Sequence, residues 1–281
     1  MLSTITNYSI DGQHGQPITI DCVFRKGGGY KPVVIFSHGF KGFKDWGHFN
    51  RTANYFANRG FVFVKFNFSH NGHTLDRPEE CTELELFGNN NFSKELDDLG
   101  SVIDWVIEEP LLSGIVDHQK IYLLGHSRGG GITILKAAED ARISKIATWA
   151  AVGDFSNRYS RDQVNAWKEK GRLDVVNGRT GQTLPLYYQL YQDLKKNSSR
   201  LDIPKASTKI TVPFLIIHGT DDKVVSFEEA KRLRDNCFSS QLLSIENSGH
   251  TFEGKHPMHK DEKYPENLSR VLEETVSFLL S

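Results

Sequence analysis

The sequence predicts an α/β fold, a mostly parallel central sheet with helices on both faces and one helical insertion. Three observations predict it. Short apolar runs alternate with amphipathic helical stretches along most of the chain, the rhythm of parallel strands joined by crossover helices. Gly125-His126-Ser127-Arg128-Gly129 stands between one such run and one such helix. The rhythm stops near Asp154 and returns near Phe214.

In chain order, residues 3–10 and 17–24 alternate as an N-terminal hairpin, with Asp11-Gly12 near its turn. Val33-Val34-Ile35-Phe36 reads as a buried strand, followed by a loop at Ser37-His38-Gly39-Phe40. Residues 46–58 read as a helix closed by Arg59-Gly60, and residues 61–66 as the next strand. Residues 69–92 are a long polar connection, of a length that is usually functional. A helix spans 93–109, with Ser93 as its N-cap and Leu96, Leu99, Ile103 and Val106 on one face. Strands follow at 120–124, 146–152, 214–217 and 242–245, and helices at 132–138, 227–236 and 265–280. Inside the break, helix-like patches occur at 162–170 and again around Tyr187, Leu190, Tyr191 and Leu194, with Pro185 in the first turn of the second.

The composition narrows the function. Among 281 residues, 34 Lys and Arg face 35 Asp and Glu, for a net charge of −1. No basic footprint for nucleic acid is present, and no apolar run reaches membrane-spanning length. The first residues lack the basic start and apolar core of a signal peptide. Cys22, Cys81 and Cys237 are scattered and odd in number, which fits a reducing cytoplasm better than a disulfide framework. His70-Asn71-Gly72-His73 and His256-Pro257-Met258-His259 lack the spacing and partners of a metal site. The expectation is a cytoplasmic protein with no metal and no cofactor. Oligomeric state leaves no mark in the sequence.

The chemistry starts at Ser127. A serine between a strand and a helix, flanked by glycines, sits on the sharp turn of a nucleophile elbow. Gly125 and Gly129 fit because a β-carbon at either position crowds that turn. A lone serine is a weak nucleophile and needs a base, and the base needs an orienting acid. The strand at 214–217 runs into His218-Gly219-Thr220-Asp221-Asp222, which offers two acids. Asp154 is a third candidate, read as a loop residue or helix cap. The last strand runs into Ser248-Gly249-His250, which offers the base. One oxyanion donor is the backbone N–H of Arg128, and the other comes from the loop after the Val33 strand. Phe40, Phe43 and Trp46 follow that loop and either line an acyl pocket or pack the first helix.

These pieces resemble an α/β-hydrolase, in particular the group that contains dienelactone hydrolases, prolyl-oligopeptidase-like enzymes and feruloyl (cinnamoyl) esterases. The resemblance runs from Val33 to the end of the chain and departs at Ser226, where relatives commonly have proline. It implies that Asp222, three residues after Gly219, is the acid rather than Asp221. It implies the N–H of Phe40 as the second oxyanion donor, and structural roles for His38 and His126. It implies a core of residues 1–153 and 206–281 under a lid of residues 154–205. The activity implied is hydrolysis of a small-molecule carboxylic ester through an acyl-enzyme on Ser127, with His250 as base. The alternative is an aminopeptidase or acylpeptide-type peptidase, holding a peptide amino group on Asp162, Glu169 or Asp174. A thioesterase, an acyltransferase and a non-catalytic binding protein stand further off.

The insertion carries ten Lys or Arg against six Asp or Glu, a surplus of four positive charges. It reads as a solvated cap rather than a dedicated anion site. The stripe of Tyr187, Leu190, Tyr191 and Leu194 must bury against something, and the mouth above Ser127 is the expected surface. Trp167, Tyr187 and Tyr191 are therefore expected to touch the substrate.

Overall fold

The computed structural model describes residues 1–259 and 261–281. In chain order its elements are β1 (Leu2–Asp11), β2 (Pro17–Arg25), β3 (Lys31–Ser37), α1 (Phe49–Ala57), β4 (Val62–Asn67), α2 (Leu84–Gly88), α3 (Phe92–Glu108), β5 (Val116–His126), α4 (Arg128–Glu139), β6 (Ile143–Trp149), α5 (Arg161–Lys170), β7 (Arg172–Val176), β8 (Thr183–Tyr187), α6 (Gln189–Lys196), α7 (Ile203–Ser207), β9 (Phe214–Gly219), α8 (Phe227–Asn236), β10 (Ser240–Ile245) and α9 (Glu266–Leu280).

Eight strands form one sheet in the order β1-β2-β4-β3-β5-β6-β9-β10. The N-terminal hairpin is antiparallel and joins β4 antiparallel, while every pairing from β4 to β10 is parallel. The chain steps from β3 outward to β4, then returns to place β5 on the other side of β3. Such a reversal opens a crevice at the carboxyl ends of the two central strands. Here those ends lead into residues 38–40 and into Ser127.

Strand parity separates the two faces, because successive side chains point to opposite sides. Val33, Ile35, Ile121 and Leu123 pack with Leu96, Leu99 and Ile103 of α3. Val34, Phe36, Tyr122 and Leu124 pack with Phe56 of α1 and Leu272 of α9. Burial on both faces is why these strands read as continuous apolar runs rather than alternating ones.

Several local expectations are corrected. The helix α3 begins at Phe92, and its cap is Asn91, whose side chain accepts from the Lys94 N–H at 2.9 Å, rather than Ser93. Asn and Ser cap equally well, so proximity to the apolar face misled the choice. Pro185 lies in β8, paired with Asp174 of β7 in a two-stranded ladder, and not in a helix turn. A two-stranded ladder has only edges, where a missing N–H is tolerated. Residues 154–205 thus hold α5, a β-hairpin and α6 where helices alone were expected. No described helix is long and apolar enough to cross a membrane.

Candidate active site

Ser127 sits between β5 and α4 with φ 56° and ψ −120°, outside the regions a side chain prefers. The turn is over-determined by its neighbours. A Cβ on Gly125 collides with the Gly129 carbonyl oxygen, and a Cβ on Gly129 collides with the Ser37 carbonyl oxygen. The Ser127 N–H donates to the Trp149 carbonyl at 2.9 Å, and its own carbonyl accepts from Val152 at 3.0 Å. Its side chain takes no cap hydrogen bond of α4 and is left for other work.

Asp222 and His250 come together from the ends of β9 and β10. His250 Nδ1 donates to Asp222 Oδ2 at 2.7 Å. The other carboxylate oxygen accepts the N–H groups of Val224 at 2.8 Å and Val225 at 2.9 Å. His218 Nε2 lies 3.3 Å from Oδ2 and is fully buried. Burial alone raises the Asp222 pKa, but the donors His218, His250 and Val225 outweigh it and hold the carboxyl well below the usual range. Asp221 is exposed. Asp154 is occupied locally, accepting from Ser156 N at 2.6 Å and from Asn157 Nδ2 at 2.7 Å.

The loop after β3 approaches Ser127 closely. A Cβ on Gly39 lies 2.9 Å from the Ser127 Cβ and 3.3 Å from His126 Nδ1. The loop is pinned underneath by buried Lys44 and Lys65, whose ammonium groups bridge Asp21 and Asp45 at 2.5–2.8 Å. Sequence reading missed this cluster, although a lysine inside the apolar run of β4 was its signal. It also missed His218 as a partner of Asp222. His38 Nδ1 hydrogen-bonds the Gly39 carbonyl at 2.9 Å, and His126 Nε2 the His250 carbonyl at 3.0 Å. Burial pushes the pKa of each down to about 3, so both rings are neutral and act as donors to backbone.

Two cavities meet at Ser127. One, of about 290 Å³, lies on the His250 side and is bordered by Phe40, Lys41, Trp46, Asn177 and Arg179. The other, of about 220 Å³, is walled by Phe92, Val152, Phe155, Tyr159 and Leu186, with Arg128 and Arg158 at its edge. The Arg128 guanidinium is buried and paired with Glu95 at 3.2 Å. Arg158 is paired with Glu229 at 2.5 Å. Phe40 and Trp46 therefore line cavities, whereas Phe43 is buried and stacks on His73.

The three expected substrate contacts lie elsewhere. Trp167 is buried, and its indole N–H donates to the Leu186 carbonyl at 2.7 Å. Tyr187 packs on Gly88 of α2 and donates its hydroxyl to Glu85 at 2.6 Å. Tyr191 stacks on Tyr188. Leu190 and Leu194 of the stripe are buried while Tyr187 and Tyr191 are half-buried, and the stripe packs against α2, α3 and the rest of the inserted segment, with Asp193 accepting the Ser93 N–H at 3.1 Å. The side chains that do reach the cavities from this segment are Phe155, Arg158, Tyr159, Val175, Asn177, Arg179 and Leu186.

Comparison with known proteins places this architecture. A model of the family described as the prolyl oligopeptidase family matches residues 47–269. The uncharacterized hydrolase YugF of Bacillus subtilis (strain 168) is 25% identical over 180 residues, which are 52% of this chain and 66% of that protein. An uncharacterized 31.7 kDa protein of the traX-finO intergenic region of Escherichia coli is 28% identical over 200 residues, 67% of this chain and 64% of that protein. The matches thus span slightly under two thirds of these relatives' length. Among solved structures, Est1E from Butyrivibrio proteoclasticus with ferulic acid bound has a TM-score of 0.72 at 20% identity, covering 97% of this chain and 98% of that one.

Proposed function

The chain belongs to the prolyl oligopeptidase family and has the α/β-hydrolase fold, and from that premise we propose that it hydrolyses carboxylic esters through an acyl-enzyme on Ser127. The observation that carries the reading is that His250, paired with Asp222 at 2.7 Å, borders the same cavity as Ser127, which is held at positive φ. With Nδ1 committed to Asp222, Nε2 of His250 is the atom left to take the Ser127 proton. Oγ then attacks the carbonyl carbon. The N–H groups of Phe40 and Arg128 receive the oxyanion. Arg128 opens α4, so its N–H has no acceptor within the helix. Each such donor contributes about 3 kcal/mol to the transition state. His250 returns the proton to the leaving alcohol, and a water activated by the same ring releases the acid. Asp222 stays ionised throughout and stabilises the imidazolium.

The family description keeps a peptidase in view as the second reading. Its requirement for a carboxylate near the substrate finds little support. Asp162 and Glu169 are exposed, and Asp174 pairs with Arg172 at 2.5 Å, none of them bordering either cavity. Short acyl esters and aminoacyl arylamides separate the two. Ester turnover exceeding arylamide turnover by orders of magnitude is expected, and the reverse ranking overturns the esterase reading.

A further inference from the structure

The two cavities at Ser127 differ in how their positive charges are balanced. On the apolar side, Arg128 and Arg158 are each neutralised by a carboxylate. On the His250 side, Lys41 and Arg179 border the cavity, and neither has a carboxylate within ion-pair distance among the described residues. Their hydrogen bonds go instead to backbone carbonyls, Lys41 to Val176 at 3.1 Å and Arg179 to Glu79 at 3.1 Å. No described Asp or Glu lines this cavity, and the Glu79 carboxylate, whose backbone carbonyl accepts from Arg179, stands 3.8 Å from His256 Nε2.

The turn that presents Arg179 is built rather than loose. Asn177 is buried, its side chain accepts the Arg179 N–H at 3.1 Å, and its N–H donates to the Gln182 carbonyl at 2.8 Å. Gln182 in turn reaches the Cys81 carbonyl at 2.8 Å, which fastens the turn to the core. The Lys41 bond to Val176 ties it to the loop after β3. Residues bearing a guanidinium, an ammonium and an amide thus line one cavity, the groups that recognise a compact oxyanion. Burial depresses the Lys41 pKa, and the nearby Arg128 adds to it.

We propose that the His250-side cavity binds a substrate moiety that carries its own negative charge, a carboxylate or a phosphate, held by Arg179, Lys41 and Asn177. Which half of the substrate this is rests on the esterase reading. His250 returns a proton to the leaving oxygen, so the alcohol lies on its side and the apolar acyl group fills the other cavity. The anion binding itself does not depend on that reading. The surplus charge of the inserted segment is then not only a solvated face, because one of its cations is positioned at the site.

The test is calorimetric titration of the intact protein with 4-hydroxybenzoate, phenyl phosphate and the neutral 4-hydroxybenzamide. At low ionic strength at least one anion is expected to bind about tenfold or more tighter than the amide, and the advantage should shrink in about 0.5 M salt. Arg179→Gln should reduce it to about threefold or less, and Arg179→Glu should abolish or invert it. Equal binding of anion and amide overturns the proposal, as does an anion advantage that survives both substitutions. Fluorophosphonate labelling of Ser127, measured in parallel, separates the two claims. Labelling without anion preference sinks only the charge assignment, and anion preference without labelling sinks only the catalytic one.

Discussion

The loops at the carboxyl ends of β3, β5, β9 and β10 border the same crevice as the inserted segment 154–205, yet the two are fixed in different ways. In the loops, close backbone approach and short-range bonds set the shape. Gly39, Gly125 and Gly129 have no room for a Cβ, and Ser127 is held at positive φ by bonds to Trp149 and Val152. In the inserted segment, long side chains reach across to other elements. Tyr187 seeks Glu85, Asp193 receives Ser93, and Arg179 reaches Glu79. On the proposed mechanism the first region holds the reacting atoms and the second shapes what reaches them. Chemistry and selectivity are therefore expected to respond to different substitutions.

The largest separation should come from the acid. Asp222→Asn is expected to lower kcat by about 10³–10⁴-fold, because His250 loses the partner that fixes its tautomer and stabilises its charge. Asp221→Asn and Asp154→Asn should stay within a few-fold of wild type in the same steady-state assay. If Asp154→Asn is the crippling change, the wrong strand end has been assigned. Gly39→Ala comes next. Its methyl group pushes on the Ser127 Cβ at 2.9 Å, and a displacement of about 1 Å at the nucleophile is enough for about a hundredfold loss. Unchanged activity in a crystal-verified variant shows that the loop can yield.

The inserted segment should answer differently. Trp167→Ala removes a buried ring and the donor to the Leu186 carbonyl, so a loss of about 3–5 kcal/mol in stability is expected by denaturant titration. The ranking of ester substrates should not move. A changed ranking without loss of stability restores the substrate role that the sequence assigned to it.

That contrast also explains what could be read in advance. The tight turn at Ser127 was legible because its steric demands are written in residue identities, whereas the pairing of Asp222 with His250 was singled out by the family resemblance. Glycine at 125 and 129 is a local fact, while the local sequence alone left Asp221 and Asp222 both open. The stripe at Tyr187, Leu190, Tyr191 and Leu194 was legible as a buried face, but not its destination. Gly88, which receives the Tyr187 ring, lies about a hundred residues away in sequence. Arg179 was counted as one charge in a surplus, since only the folded hairpin shows that it stands at the cavity without a carboxylate. Pro185 was misplaced because the apolar spacing of α6 continues back into β8.

The smallest effect probes α3, on which both regions rest. Asp98 is buried, accepts the Ser69 N–H at 2.8 Å, and is pushed up to about 7 by its burial. The folded state therefore binds a proton that the unfolded state has released between about pH 4 and 7. The contribution of Asp98 to stability should therefore fall as pH rises through that window and level off above about 7, opposite in sign to that of the buried His38, His48 and His126, whose depressed pKa values add stability as pH rises toward about 6.5. With that opposing contribution gone, Asp98→Asn should make Tm rise more steeply with pH between about 4 and 7 than it does in the wild type, and parallel profiles in the two proteins contradict it.

The central claim is that Ser127 is the nucleophile of this site. The most direct measurement is peptide-level mass spectrometry after reaction with a fluorophosphonate. A single adduct on the peptide containing Ser127, lost in Ser127→Ala while Asp222→Asn labels far more slowly, is the expected result. An adduct on another residue, or labelling that persists in Ser127→Ala, contradicts the account.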